Sequence, residues 1–166
     1  MSGKSSVRQL RAADAEAYRA LHLEALRTHP AAFAASHEEE CDLPASAFAV
    51  RLEQLAVFGG FVDGELGGIA TLQRFPQVKR RHVAMIWGMY VREAQRGSGL
   101  AGAILRAVLA HAEREVDQVE LYVAVGNERA GRFYRNLGFE PYGVMRRSLR
   151  VDGVDHDAEM MVRMFR

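Results

Sequence analysis

Apolar and polar positions alternate from Val7 to Arg11, which predicts a short strand. Asp14 then stands where a side-chain oxygen caps a helix. Tyr18, Leu21, His22 and Ala25 share one face of that helix. His29-Pro30 ends it, because the residue before proline avoids the α region. Ala31 to about Glu40 has a weaker helical pattern, and Pro44 opens a third helix to about Leu55. Val57–Val62, the pair Asp63-Gly64 and Glu65–Leu72 read as strand, tight turn and strand. His82–Val91 is a nearly continuous apolar run, as in a central strand. A helix follows from about Gly99 to Glu115, with Leu100, Ile104, Ala107 and Val108 on one face and Leu105 and Leu109 on another. Val119, Leu121, Val123 and Val125 alternate as a strand. Asn127 suits the cap of the next helix, where Ala130, Phe133, Tyr134 and Leu137 form one stripe, and Gly138 suits its left-handed end. Asp152-Gly153 joins a last hairpin, Tyr142–Val151 with Val154–Phe165.

The predicted order is βααα-ββ-β-α-β-α-ββ. Its middle βαβ unit requires a parallel pair with a right-handed crossover. The tight turns on either side require antiparallel pairs. The expected fold class is therefore α/β in the mixed (α+β) sense: a mixed, mostly antiparallel sheet with helices on its faces.

Length and composition narrow the classes. The chain has 166 residues, 49% of them apolar and 26% charged, the profile of one globular domain spanning residues 1–166. A net charge of +1 gives no broad basic face, so no nucleic-acid partner is expected. No run approaches the roughly 20 apolar residues of a membrane span, and Met1–Val7 has no hydrophobic signal core. No membrane partner is expected either. Cys41 is the only cysteine; it excludes an intrachain disulfide, fits a cytoplasmic location and reads as a structural thiol. The histidines His22, His29, His37, His82, His111 and His156 show no ligand spacing, so no metal is expected.

The candidate chemistry begins at Arg96-Gly97-Ser98-Gly99-Leu100-Ala101. This segment joins a strand to a helix N-terminus, where free N–H groups and the helix dipole favour phosphate. Gly97 and Gly99 allow close backbone approach, and Arg96 adds a cationic fork. Two readings stand: a pyrophosphate cradle, or a turn that only starts a packed helix. Gly97, Gly99 and Gly102 also match the spacing of the dinucleotide fingerprint. Against a nicotinamide enzyme stand the five residues Arg92–Arg96 before the first glycine, the final hairpin, and the absence of an acidic residue after the next strand.

These residues resemble the acetyl-CoA signature of the GNAT N-acetyltransferase superfamily, with Arg96, Gly99 and Ala101 in register. Asn127-Glu128-Arg129-Ala130-Gly131-Arg132-Phe133-Tyr134-Arg135-Asn136-Leu137-Gly138-Phe139 resembles that superfamily's next motif. The likeness covers about Val57 to Phe165, with Val7–Leu55 similar to its variable substrate-side helices. The resemblance implies roles. Backbone groups of Met89, Tyr90 and Val91, on a bulged strand, would hold the acetyl carbonyl and the pantetheine arm. Arg96, Gly97, Ser98, Gly99, Leu100 and Ala101 would bind the pyrophosphate of acetyl-CoA. Asn127 would touch the pantetheine, and Tyr134 would lie near the thioester sulfur as the catalytic acid.

Such chemistry needs a neutral amine, N–H donors for the developing oxyanion, and a proton for the departing thiolate. A phenol can supply that proton; equally, Tyr134 lies on the apolar stripe of its helix, where most tyrosines simply pack. Many relatives carry a strand glutamate as base, whereas Ala84-Met85-Ile86-Trp87-Gly88-Met89 has none. Glu24, His37, Glu38, Glu39, Glu40 and Glu93 remain as candidates, although an acidic run such as Glu38–Glu40 usually forms a solvated helix end. Trp87 reads as core or as acceptor-pocket wall. Arg74, Lys79, Arg80 and Arg81 read as a solvated loop or as a contact for an acidic group. The expected activity is acetyl transfer from acetyl-CoA to a primary amine of a small molecule. The alternatives are a protein or peptide N-acetyltransferase and a non-catalytic acetyl-CoA-binding module. Relatives often dimerise, so a homodimer is a further expectation.

Overall fold

The computed structural model describes residues 4–166. Met1–Gly3, part of the polar N-terminal stretch, lie outside them. The elements run β1 Ser5–Gln9, α1 Ala15–Thr28, α2 His37–Glu40, α3 Ala45–Gln54, β2 Ala56–Val62, β3 Glu65–Arg74, β4 Val83–Val91, α4 Leu100–Glu115, β5 Gln118–Ala124, α5 Glu128–Asn136, β6 Glu140–Val151 and β7 Val154–Met164. This is the predicted order.

Seven strands form one mixed sheet, β1-β2-β3-β4-β5-β7-β6. Among the described residues only β4 and β5 pair in parallel, and α4 is their crossover. The two hairpins close as their sequences require. Asp63 and Gly64 have φ of 51° and 87°, and Asp152 and Gly153 have 49° and 78°, the left-handed pairs of type I′ turns. Two apolar clusters cover the sheet. Ile104, Leu105, Val108 and Leu109 of α4 pack with Val119, Leu121 and Tyr134 in one. Tyr18, Leu21 and Ala25 of α1 pack with Phe48 and Leu52 of α3 in the other. A Cβ on Gly68 would lie 2.7 Å from Ile104 Cδ1 and 3.1 Å from the Tyr90 carbonyl oxygen, so glycine there sets how closely α4 approaches.

Three local expectations are corrected. The first strand begins earlier, at Ser5, because its partner β2 ends at Val62, opposite Ser5. Asp14 precedes α1 but makes no cap bond to it; its carboxylate accepts from Arg8 at 2.8 Å and from the Arg11 N–H at 2.8 Å. The second helical stretch shrinks to a 3-10 turn at Pro30–Ala32 and the one-turn helix α2, capped by Ser36.

Candidate active site

The site is built where the parallel pair fails. Val83–Met85 pair with Gln118–Glu120, and the two strands then separate. On its other edge, Thr71 of β3 pairs with Trp87 and Ile69 with Tyr90. Gly88 and Met89 together therefore oppose Ala70, a bulge that Gly88 permits through a φ of 65°. A bulge leaves one residue's peptide groups out of the ladder. A cavity of about 510 Å³ fills the opening, with Ile86–Met89 on one wall and Leu121–Ala124, Asn127 and Tyr134 on the other.

The glycine turn follows β4 after one 3-10 turn, Glu93–Gln95. Gly97 and Gly99 have φ of 79° and 87°, and a Cβ on either would meet nothing within 4 Å. Glycine is required there by backbone conformation, and the space beyond it is open. No side chain caps α4 at Gly99. Ser98 Oγ accepts from the Leu100 N–H at 3.3 Å and donates to the Gln95 carbonyl. Among the described residues, the N–H groups of Gly99, Ala101 and Gly102 have no acceptor. The turn thus offers unpaired donors beside open space, the features a pyrophosphate needs. Leu100 is buried under the sheet and Ala101 is half-buried, so their backbones rather than their side chains face that space.

The remaining predicted residues are distributed unevenly. Met89 lines the cavity. Tyr90 turns its ring to the α1–α3 side, where its hydroxyl donates to Glu24 at 3.0 Å. Val91 packs with the α4 cluster. The Arg96 fork is folded back, with Nε donating to the Val91 carbonyl at 3.2 Å and Nη2 lying 3.4 Å from His29 Nε2. Asn127 does two things: its Oδ1 accepts from the Ala130 N–H at 3.2 Å, and its side chain stands in the cavity wall. Tyr134 is buried against Phe133 and Phe139 and also lines the cavity. Burial alone pushes its phenol well above the ordinary value, so it stays protonated.

Of the six candidate bases, Glu40 alone lines this cavity. The solvated-run reading of Glu38–Glu40 therefore fails at its last member: Glu38 and Glu39 are exposed, and Glu40 turns inward. Glu40 Oε2 lies 2.9 Å from His22 Nε2, and Arg51 clasps both carboxylate oxygens at 3.1 and 3.2 Å. Burial holds the His22 imidazole below its usual value, although Glu40 opposes the shift. Glu24 is bound by Tyr90 and Arg92, and Glu39 closes a capping box with Ser36. Trp87 is pocket wall, with its Nε1–H donating to Gln73 at 3.0 Å. Arg80 stacks over Phe75 and reaches Glu120, as in a solvated loop. The sequence reading did not bring His22, Phe33, Gln73, Ser148, His156 or Asp157 to the cavity. His22 left a signal, a polar residue on the apolar stripe of α1. The others come from loops and distant strands that only the folded chain assembles.

Known proteins resemble this chain in sequence and in fold. The model of a family described as "Acetyltransferase (GNAT) family" matches residues 12–139. YdaF of Bacillus subtilis, which bears a provisional name as a ribosomal N-acetyltransferase, is 32% identical over 101 residues, 60% of this chain and 54% of its own length. The L-amino acid N-acetyltransferase AaaT of Escherichia coli is 31% identical over 104 residues, 61% of this chain and 64% of its own length. The matches thus span between half and two thirds of these relatives. Among solved structures, yncA of Salmonella typhimurium, solved with its cofactor acetyl-CoA, superposes with a TM-score of 0.85 at 20% identity, covering 98% of this chain and 95% of that one.

Proposed function

Because the chain belongs to the acetyltransferase (GNAT) family, we propose that it is an N-acetyltransferase moving the acetyl group of acetyl-CoA onto a primary amine of a small molecule. The observation that carries this reading is the parting of β4 from β5 beside a bulge, with Tyr134 in the cavity that opens. The fold shared with an acetyl-CoA-bound structure and the names of the relatives support it.

Acetyl-CoA carries the acetyl group as a thioester, open to attack by an amine. In our assignment the N–H groups of Gly99, Ala101 and Gly102 receive the pyrophosphate. Asn127 keeps its NH2 for the pantetheine arm, since only its oxygen is used in the cap. The N–H freed at the Gly88–Met89 bulge donates to the acetyl oxygen as negative charge develops there. The amine nitrogen forms a bond to the carbonyl carbon, and the bond from that carbon to sulfur breaks. Tyr134 delivers the proton that the sulfur needs, and Glu40, directly or through water, takes the one the amine gives up. Arg51 and His22 position Glu40.

Release of free CoA across a panel of amino acids, polyamines, aminoglycosides and short peptides tests the reading. The expected result is turnover of a small amine that falls in Tyr134→Phe. Acetyl-CoA bound without release on any acceptor would mark a non-catalytic module, and selective binding of NADH would mark a nicotinamide enzyme. The second reading, acetylation of a protein or peptide amine, is favoured by the name of YdaF. Turnover confined to the peptides of the panel would establish it.

A further inference from the structure

The cavity walls restrict the acceptor further. Among the described residues, no lysine or arginine side chain lines the cavity. Glu40 is the acidic side chain on the acceptor side; Asp157 on β7 also contributes to the wall, but it is exposed, its Oδ1 accepts from the Arg147 N–H at 2.8 Å, and it shares its face of β7 with Glu159, which pairs with Arg135. Two neighbouring arginines are engaged. Arg51 holds Glu40, and Arg147 pairs with Asp155 at 3.4 Å. Arg74 lies on the neighbouring position to Gln73 and bonds the Arg81 carbonyl instead of facing the cavity. The imidazoles of His22 and His156 also line it, and the rest of the acceptor side is apolar or neutral, with Phe33, Trp87, Gln73 and Ser148.

A carboxylate entering such a space loses its hydration and gains no lysine or arginine partner, which is unfavourable at any buried site. A neutral group there bears no such cost. From this we infer that the acceptor is a primary amine whose neighbouring carbon carries a neutral group, such as hydrogen or an amide, and not a free carboxylate. The inference rests on the acetyltransferase reading and deepens it. It parts this chain from a relative whose name gives L-amino acids as acceptors.

The test is a matched series with the intact protein and acetyl-CoA: phenylalanine, phenylalaninamide and phenethylamine, then leucine, leucinamide and isoamylamine. It is run near pH 8, where an ordinary imidazole of pKa about 6.5 is neutral. The decarboxylated amine is at least as basic as its amino acid, so a preference for it does not come from easier deprotonation. In at least one series the amide and the decarboxylated amine should exceed the free acid by about tenfold or more in kcat/KM. The difference converts to about 1.4 kcal/mol in transition-state stabilisation. Equal or better use of the free acids would overturn the inference and leave the acetyltransferase reading standing. No transfer to any amine of this series or of the broad panel would overturn both.

Discussion

At the residue scale, two buried groups carry sharp expectations. Tyr134 stands in the cavity wall with a phenol that burial keeps protonated. Tyr134→Phe should lower kcat by about a hundredfold, the low end for a positioned acid, with acetyl-CoA affinity nearly unchanged by calorimetry. Unchanged kcat would return Tyr134 to a packing role. His22 titrates differently. Its folded pKa is depressed below the unfolded value of about 6.5 by burial. Between those two pH values the unfolded chain binds the proton and the folded chain does not, so stability falls as pH drops through about 6.5. Melting temperature should therefore decline from pH 7 to 5, and His22→Gln should flatten that decline. An equal slope in the variant would place the sensitive group elsewhere.

At the scale of elements, the turn into α4 separates two meanings of a glycine. Gly99 has φ of 87° and open space beyond its Cα. Gly99→Val should cost about 1–2 kcal/mol of stability, because a side chain there must accept the left-handed region. Gly99→Asn, which tolerates that region, should fold with little loss. Both should weaken acetyl-CoA binding if the pyrophosphate occupies the open space. Asn with full affinity would move the phosphate site. Gly68 carries the other meaning, contact with Ile104 and the Tyr90 carbonyl. Gly68→Ala should destabilise by about 1–3 kcal/mol through overpacking, measured by denaturant melts. The elements themselves were legible, because Asp63-Gly64, Asp152-Gly153, Asn127 and Gly138 each impose a local geometry. Asp14 and the stretch after Pro30 were not: Arg8, six residues away, takes the Asp14 carboxylate, and Ser36 starts a separate one-turn helix with Glu39.

At the scale of the whole molecule, the order of elements and the mixed sheet followed from periodicity and turn chemistry. The glycine turn and the helix that starts at Asn127 were read from two contiguous motifs. The rest of the cavity wall was illegible for a physical reason. His22, Glu40, Gln73, Ser148 and Asp157 come from five separated segments, and no local rule joins them. A ligand that binds only the folded chain raises its stability, by about 2.7 kcal/mol at a hundredfold excess over Kd. Acetyl-CoA should thus raise the melting temperature in a concentration-dependent way, and NADH should not. A crystal structure of the protein with acetyl-CoA would show where the thioester lies. The pyrophosphate should sit on the N–H groups of Gly99, Ala101 and Gly102, the arm between β4 and β5 beside Asn127, and the sulfur within direct or one-water reach of the Tyr134 hydroxyl. Acetyl-CoA bound outside the parted strands, with Tyr134 still walled off from the thioester, would contradict that placement.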